Sequence, residues 1–466
     1  MADSEIQNVL KMLEDDLGTE VEGVRTVSAA TPKHNDLLHQ LRNLTFQSGC
    51  ISSLSTERAV SICCRYSFDV ASVEPNRIAV RCLCNILFLA EQTRQMFVSN
   101  ERDYPGKAAL HMKSTDPDDV FTSARLLLFC TYETDLDFEP LFQKYEFANT
   151  INQNIGHYAR LIPISEGTQR DTLERACTET LKLLYNLIDR DPYRATLFDE
   201  ALYPILDLLS KASIPSPPLQ LLISSLINPL NQLELKEGCP LLVESSNNIY
   251  LQRLVLILDL ASQTYSAAEM NIKASPLVQV LLRATELSPP GVASQLGKIL
   301  LPSEQDRQNV LGKNDSLPSR LLRLFNNPAA PELSALLPAL YFELSDRDVD
   351  LFVSNVGYGL AAGYLASRGL YHDPAAHNRR VTEDSKEDSS IPTENARLRN
   401  SEINTITGQW RKDEIESELP ELTEDEKERE AEKLFVLFER LKATGVINVE
   451  NPVARAVHEG RFEELE

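Results

Sequence analysis

Apolar residues recur at intervals of three and four through most of the first 370 residues. The spacing is clear in Val80–Phe88 and Leu181–Ile188, and the runs are bounded by Pro, Asn, Asp or Ser. No stretch sustains an alternation of apolar and polar residues, and glycine, which tight hairpin turns often require, accounts for only 17 of 466 residues. The pattern predicts an all-α fold of successive helices joined by short breaks.

Two segments of this helical region resemble each other. Arg81–Leu87 and Lys182–Ile188 each carry a basic residue four positions before an Asn, and a Phe follows twelve residues after that Asn. Ser224–Asn228 is a weaker copy, and Asn228 follows Asn186 by 42 residues. Armadillo and HEAT repeats have a period of about 40–47 residues, and the longer gap between the first two copies has room for two repeats. We therefore predict an armadillo/HEAT-type α-solenoid, whose stacked units share a core and present a concave surface.

The composition changes after residue 372. Residues 377–402 are rich in Asp, Glu, Ser, Arg and Asn and hold few large apolar side chains. Such a segment does not bury enough apolar area to offset the entropy of ordering it. We predict a repeat domain over 1–375, an acidic disordered linker over 376–422, and a C-terminal helix and tail over 423–466.

One amphipathic helix is predicted in this C-terminal part. Thr423 is a suitable N-cap, and Glu426 three residues later completes a capping box. Gly445 is a suitable end for the helix. An apolar stripe along one side is expected to pack against a partner or against the repeats; it comprises Leu434, Leu437, Phe438 and Leu441.

The chain is acidic, with 46 basic and 69 acidic residues and a formal net charge of −23. Binding to nucleic acid or to an anionic membrane requires clustered cations, so we expect neither, although a local basic patch in a groove remains compatible with this balance. The apolar runs are too short to cross a bilayer, and the acidic start does not resemble a signal peptide. We therefore expect a cytoplasmic protein with no direct membrane insertion.

Known motifs for metal, nucleotide and catalytic sites do not occur in the sequence. The eight cysteines form no CxxC pair, and the seven histidines show no metal-ligand spacing. Gly291–Lys298 is one residue too long for a phosphate-binding loop, and Ile299 stands where Ser or Thr would bind magnesium. We expect a non-catalytic protein without metal or cofactor; an enzyme is the weaker hypothesis.

The repeated pair of a basic residue and an Asn is the most informative candidate for a binding site. Arg81 and Asn85 are four residues apart, as are Lys182 and Asn186, so each pair shares one helix face. On the last helix of an armadillo unit, the Asn would bond a captured backbone and the cation would hold a carboxylate. Asn228 is the equivalent residue of the weaker copy. The alternative is that each Asn caps an internal turn or faces solvent.

Two residues of the C-terminal part have the acidic neighbour that acid-directed kinases require. Ser385 and Thr423 are each followed by an acidic residue three positions later. A phosphate on Thr423 would be favoured electrostatically at a helix N-terminus. The alternative is that such sequences occur by chance in an acidic tail.

Five segments between residues 81 and 446 follow the order of motifs in a known family. They are Arg81–Phe88, Val356–Leu370, Ile403–Gly408, Leu422–Leu434 and Phe438–Val446. In these segments the chain resembles the synembryn family (resistance to inhibitors of cholinesterase) of Gα chaperones and guanine nucleotide exchange factors. Leu360 stands where the family pattern has Asn. The linker lacks the repeated acidic-threonine run of animal members; only Thr393-Glu394 lies near that place, and Thr393 is a further candidate for phosphorylation.

The resemblance implies an armadillo/HEAT solenoid with a mobile tail that chaperones new Gα subunits and promotes GDP release from them. It implies that the concave groove takes the C-terminal helix of Gα, while the C-terminal helix of this chain braces the Ras-like domain. Tighter binding to nucleotide-poor Gα would drive exchange without chemistry on a substrate. We expect a monomer that Gα recruits to the plasma membrane or cell cortex.

The main rival is an armadillo-type scaffold or transport adaptor that shares the groove but has no exchange activity. Loss of Gα binding on addition of GTP separates the two hypotheses, because only an exchange factor discriminates between nucleotide states.

Overall fold

The computed structural model of the chain is helical in the part that it describes. Apart from the helices, these residues hold an isolated antiparallel bridge between Ile403 and Trp410. The predicted all-α fold is confirmed. The chain divides into two compact units, Met1–Arg411 and Lys412–Glu466. The described residues are 2–17, 32–47, 51–70, 73–99, 101–244, 248–370, 403–404 and 407–414, with 429, 433 and 436.

Twenty α-helices lie in the described part of the first unit. They are α1 (Ala2–Asp16), α2 (Pro32–Leu44), α3 (Ile51–Leu54), α4 (Glu57–Phe68), α5 (Val73–Leu89), α6 (Gln92–Val98), α7 (Tyr104–His111), α8 (Pro117–Cys130), α9 (Glu139–Tyr145), α10 (Phe147–Leu161), α11 (Gly167–Arg190), α12 (Asp199–Lys211), α13 (Leu221–Leu230), α14 (Ile249–Thr264), α15 (Ala267–Leu287), α16 (Pro290–Leu300), α17 (Leu317–Leu322), α18 (Pro331–Glu343), α19 (Val349–Val356) and α20 (Tyr358–Ser367). Short 3-10 helices cover Ile162–Ile164, Pro192–Phe198, Pro240–Leu242, Asp306–Gln308 and Arg411–Asp413.

The helices of the first unit form two rows that pack against each other. In the first row, α2, α5, α8, α11, α13, α15 and α18 contact one another in that order. In the second row, α10, α12, α14 and α17 do the same, and each of the first three packs on the next helix of the first row. This is the arrangement of an α-solenoid, as predicted. The order of helices in the first row also explains the unequal spacing of the sequence copies. The first two copies lie on α5 and α11, which are separated by α8, whereas the third lies on α13, which directly follows α11.

The core lies between the rows and is continuous from one helix pair to the next. On α11 the buried positions are spaced by three and four residues, and they include Leu173, Cys177, Leu181, Leu184 and Ile188. A fully buried Leu or Ile contributes about 1.5–3 kcal/mol relative to an exposed one. The same spacing that predicted a helix therefore also fixes which side of α11 faces the second row.

Polar side chains join successive helices by capping their C-termini. The guanidinium of Arg283 on α15 donates to the carbonyls of Leu230 and Leu233 at the end of α13, at 2.6 and 3.0 Å. Arg253 on α14 does the same at the end of α12. The last carbonyls of a helix lack partners within it, so an arginine from the neighbouring helix satisfies them. Burial lowers the pKa of both arginines below the ordinary value.

The cysteines of the described residues are free and buried. Burial raises the pKa of Cys63 and of Cys84 to about 12. Since the thiolate is the reactive form, these groups behave as small apolar side chains of the core.

Several predictions fall on residues outside the described part of the chain. These are the phosphorylation candidates and the apolar stripe of the C-terminal helix, and the predicted division of the chain at 375 and 422 is likewise untested. Within the predicted linker, residues 403–404 and 407–411 belong to the first compact unit. The residues outside the description are Ser385, Thr393, Thr423, Leu434, Leu437, Phe438 and Leu441.

Candidate protein-binding face

Three consecutive helices of the first row, α5, α8 and α11, share a solvent-facing surface. Its residues recur at intervals of three or four on α5 and of four on α8, because such spacing keeps side chains on one side of a helix. We call this surface the α5–α8–α11 face. Its half-buried or exposed residues are Arg77, Arg81, Asn85, Phe88, Phe121, Arg125, Phe129, Arg175, Lys182 and Asn186.

Aspartates in the first turn of α8 hold the arginines of α5. Arg81 pairs with Asp118 at 3.4 Å, and Arg77 pairs with Asp116 at 2.5 Å and Asp119 at 2.7 Å. A helix N-terminus favours acidic side chains, so α8 stabilises these carboxylates as well. Burial alone would raise the pKa of Asp119, but hydrogen bonds from Arg77 and Ser114 together with the charge of Arg77 outweigh it, and the pKa lies below the ordinary value. The two guanidinium groups are therefore held in place at the surface.

A buried glutamate of α11 holds one cation of α8 and one of α11 in the same way. The side chain of Glu179 on α11 is 5% exposed and accepts from Arg125 at 3.1 Å and from Lys182 at 3.0 Å. A buried carboxylate is costly unless it is paired, and here two cations pair with it. Lys182 and Arg125 are thereby fixed on the face, each with part of its side chain in solvent.

Two guanidinium groups of the face stack on one aromatic ring. Arg125 and Arg175 both stack on the Phe121 ring, each with 4.6 Å between its Cζ atom and the ring centroid. Arg175 has no ion pair among the described residues, so its charge is available to a partner. Neither Phe121 nor Arg175 was predicted from the sequence. The four-residue spacing of Phe121 and Arg125 is the only local signal for them.

The two predicted asparagines bridge neighbouring helices. The Asn85 amide donates to the Thr45 hydroxyl and the Asn186 amide donates to the Thr131 hydroxyl, both at 2.8 Å. Each Thr directly follows the preceding helix of the row, α2 or α8, and donates back to that helix's last turn. The amide nitrogens are thus engaged within the protein, and groove binding by Asn85 and Asn186 stays a prediction.

The third predicted asparagine has a different setting. Asn228 is half-buried on α13, and the residue that bridges to the next helix is Asn231, whose amide donates to the Pro276 carbonyl at 2.9 Å. The copy at Ser224–Asn228 therefore lacks the bridge that Asn85 and Asn186 make in the other two copies. A binding role for Asn228 stays a prediction.

Metal sites and membrane-spanning helices are both absent from the residues that the structure describes. No group of three or more His, Cys, Asp or Glu side chains in that part of the chain is arranged to hold a metal ion. None of its helices is both long enough and apolar enough to cross a membrane.

Comparison with known proteins assigns the chain to a family. A sequence model of the family described as guanine nucleotide exchange factor synembryn matches residues 37–461. The chain belongs to the synembryn family. It is similar to the chaperone Ric-8A of Mus musculus, with 25% identity over 453 residues that cover 90% of this chain and 82% of the mouse protein. A chaperone Ric-8A of Gallus gallus is also 25% identical, over 88% of this chain and 81% of that protein.

A fungal relative matches a shorter part of the chain more closely. A synembryn-like chaperone of Schizosaccharomyces pombe is 31% identical over 194 residues, which are 42% of this chain and 36% of that protein. The resemblance to the synembryn family is therefore confirmed across most of the chain. The names of these relatives describe chaperones, and the name of the family describes an exchange factor.

The structure places two of the synembryn-like segments against each other. Val356–Leu370 contains α20 and Gly357, whose φ of +81° is reached readily by glycine. Gly408, at the end of Ile403–Gly408, lies beside Gly357, because a Cβ at 408 would be 3.5 Å from the Gly357 nitrogen. Leu360, which departs from the family pattern, is half-buried and packs against the core.

Proposed function

We propose that the protein is a chaperone and guanine nucleotide exchange factor for the α subunits of heterotrimeric G proteins. Membership of the synembryn family carries this proposal. The α5–α8–α11 face supports it, because a fixed set of cations and aromatic rings in an otherwise acidic chain suits a peptide that ends in a carboxylate. We expect this face to bind the C-terminal helix of Gα, with Arg81, Lys182 and the Phe121–Arg175 pair as principal contacts.

The mechanism requires no bond to be made or broken by this protein. A partner that binds nucleotide-poor Gα more tightly than GDP-bound Gα shifts the equilibrium towards GDP release by that difference in binding free energy. Holding the C-terminal helix of Gα away from its domain is the expected means, and the predicted C-terminal helix of this chain would brace the opened Ras-like domain. The protein would act as a monomer in the cytoplasm, and Gα would recruit it to the plasma membrane or cell cortex.

The test is GDP release from purified Gα subunits, with and without the protein. We expect wild type to accelerate release and Arg81→Ala/Asn85→Ala to weaken the effect in a protein that remains helical by circular dichroism. Arg175→Ala should weaken it as well, by roughly tenfold in affinity if one desolvated charge pair worth about 1.4 kcal/mol is lost. Lys211→Ala removes an equally solvent-facing cation from α12, in the second row, and should leave release unchanged.

The rival is an armadillo-type scaffold or transport adaptor without exchange activity. If several classes of Gα show neither faster GDP release nor a complex that dissociates on addition of GTP, the exchange function is wrong and the scaffold is the better description. Equal losses from Arg175→Ala and Lys211→Ala would argue against the α5–α8–α11 face as the binding surface.

A further inference from the structure

Residues 403–404 and 407–411 come together in a short turn that docks on the end of the helical array. The turn is closed by backbone hydrogen bonds, from Asn404 N to Gln409 O at 2.8 Å and from Gly408 N to Asn404 O at 2.7 Å. Ile403 is buried at its base. We call this turn the clasp. It is joined to α20 through about thirty residues of acidic sequence, yet it belongs to the same compact unit as the helices.

The clasp docks by main-chain pairing with the segment that precedes α17. Trp410 N donates to Arg307 O at 2.9 Å, and Leu311 N donates to Thr407 O at 3.3 Å. The indole of Trp410 donates to the Glu304 carbonyl at 3.3 Å. These are the contacts that a bound peptide makes, since main-chain hydrogen bonds hold it and side chains fix its register.

Arg307 connects the clasp to the helices. Its side chain is buried, and it donates to the carbonyl of Gly408 at 3.0 Å and to that of Ser354 at 2.8 Å. Ser354 lies in the last turn of α19, where carbonyls lack partners within the helix. One planar guanidinium therefore satisfies a helix C-terminus and the clasp together, which a lysine ammonium cannot do with the same geometry.

Gly408 has no room for a side chain. Its φ is +70°, and a Cβ there would overlap the Leu311 side chain, lying 2.9 Å from Cγ. Leu311 is itself buried, so it has little space to move. The clasp therefore closes only with glycine at this position.

We propose that the clasp fixes the point from which residues 412–466 leave the helical unit, and that the exchange and chaperone activity depends on this attachment. The inference rests on the proposed function, in which the C-terminal segment makes the second contact with Gα. A short tether to the helical unit that carries the binding face raises the effective concentration of that contact. Release of the clasp would lengthen the tether by the residues between 370 and 411.

The chain carries its own reporter of the clasp, because Trp410 is its single tryptophan. The test compares wild type with Gly408→Val and Arg307→Lys in the full chain, and it measures acrylamide quenching of tryptophan fluorescence. Valine at a left-handed φ alone shifts the equilibrium towards release by about 5–30-fold, before the overlap with Leu311 is counted. We expect both variants to increase quenching towards that of the denatured chain and to reduce the acceleration of GDP release.

Gly369→Val is the matched control. Gly369 has nearly the same φ, +69°, but nothing lies within 4 Å of a Cβ there. It should leave Trp410 quenching and GDP release as in wild type. Binding of a Gα C-terminal peptide to the α5–α8–α11 face should be unchanged in all variants, since the clasp is not part of that face.

Three results would overturn the inference. If acrylamide quenches Trp410 in native wild type as readily as in urea, the clasp does not form. If Trp410 of Gly408→Val is quenched as in the denatured chain but the variant still accelerates GDP release normally, the attachment is not needed. Wild type that fails to accelerate GDP release refutes the proposed function, and the dependence on the clasp with it, whereas the fluorescence still decides whether the clasp exists.

Discussion

At the scale of single residues, the buried acid Asp306 stabilises the segment that receives the clasp. Its carboxylate accepts from the backbone nitrogen of Ser303 at 2.9 Å and from the hydroxyls of Ser303 and Ser316 at 2.7 and 2.5 Å. Burial alone would raise the pKa of Asp306, but these hydrogen bonds outweigh it and the pKa lies below the ordinary value. The charged form is thus favoured in the folded protein.

The sign of this shift predicts how stability depends on pH. A carboxyl whose pKa is lowered by folding stabilises the native state above its unfolded pKa, about 3.9, and this contribution is lost as the pH falls through the lower, folded value. We expect Asp306→Asn to lower the free energy of unfolding at pH 7 and to flatten its decline below about pH 4. Denaturant titrations at several pH values, read by far-ultraviolet circular dichroism, measure both effects.

The exposed Asp346 provides a control, because Asn is also tolerated at its φ of +55°. Asp346→Asn controls for the substitution itself and should leave the free energy of unfolding at pH 7 as in wild type. If Asp306→Asn and wild type lose stability in parallel as the pH falls, the hydrogen bonds of Asp306 do not favour its charged form.

At the scale of elements, the contact between α8 and α11 depends on the bridge from Asn186 to Thr131. Asn186→Ala leaves the Thr131 hydroxyl without this donor, and we expect a loss of about 1 kcal/mol in the free energy of unfolding. A double-mutant cycle with Thr131→Ala should give a coupling energy of about 0.5–1.5 kcal/mol, because the two side chains bond each other directly.

The same variants distinguish the two interpretations of the Asn. If Asn186→Ala lowers the free energy of unfolding but the folded variant accelerates GDP release as wild type does, the only role of Asn186 is to bridge the two helices. If release is impaired in Asn186→Ala and not in Thr131→Ala, Asn186 contacts the partner through its remaining carbonyl group. A coupling energy near zero would contradict the bridge itself.

At the scale of the whole molecule, the features that could be predicted from the sequence are those with local signals. The helices follow from apolar spacing within one or two turns, and the order of α5, α11 and α13 follows from the repeated Asn. The stacking of Arg175 on Phe121 joins residues 54 positions apart, and the pairing of Arg307 with Gly408 joins residues 101 positions apart. Such pairs carry no periodic signal, so only the folded row brings them together.

The positions of the cysteines and of the single tryptophan allow a test of how cooperatively the helical array unfolds. In a solenoid each unit contacts only its neighbours, so distant parts are coupled through a chain of interfaces. The eight cysteines lie between residues 50 and 239, whereas the single tryptophan lies in the clasp beyond the last helices. We expect Trp410 to become exposed at a lower urea concentration than the thiols, because hydrogen bonds and little apolar area hold the clasp, while the described thiols are buried in the core. Pulsed thiol labelling and tryptophan fluorescence on the same samples measure the two transitions. Coincident transitions would mean that the clasp and the N-terminal helices unfold as one cooperative unit, and Gly408→Val would then have to lower the midpoint for both probes equally.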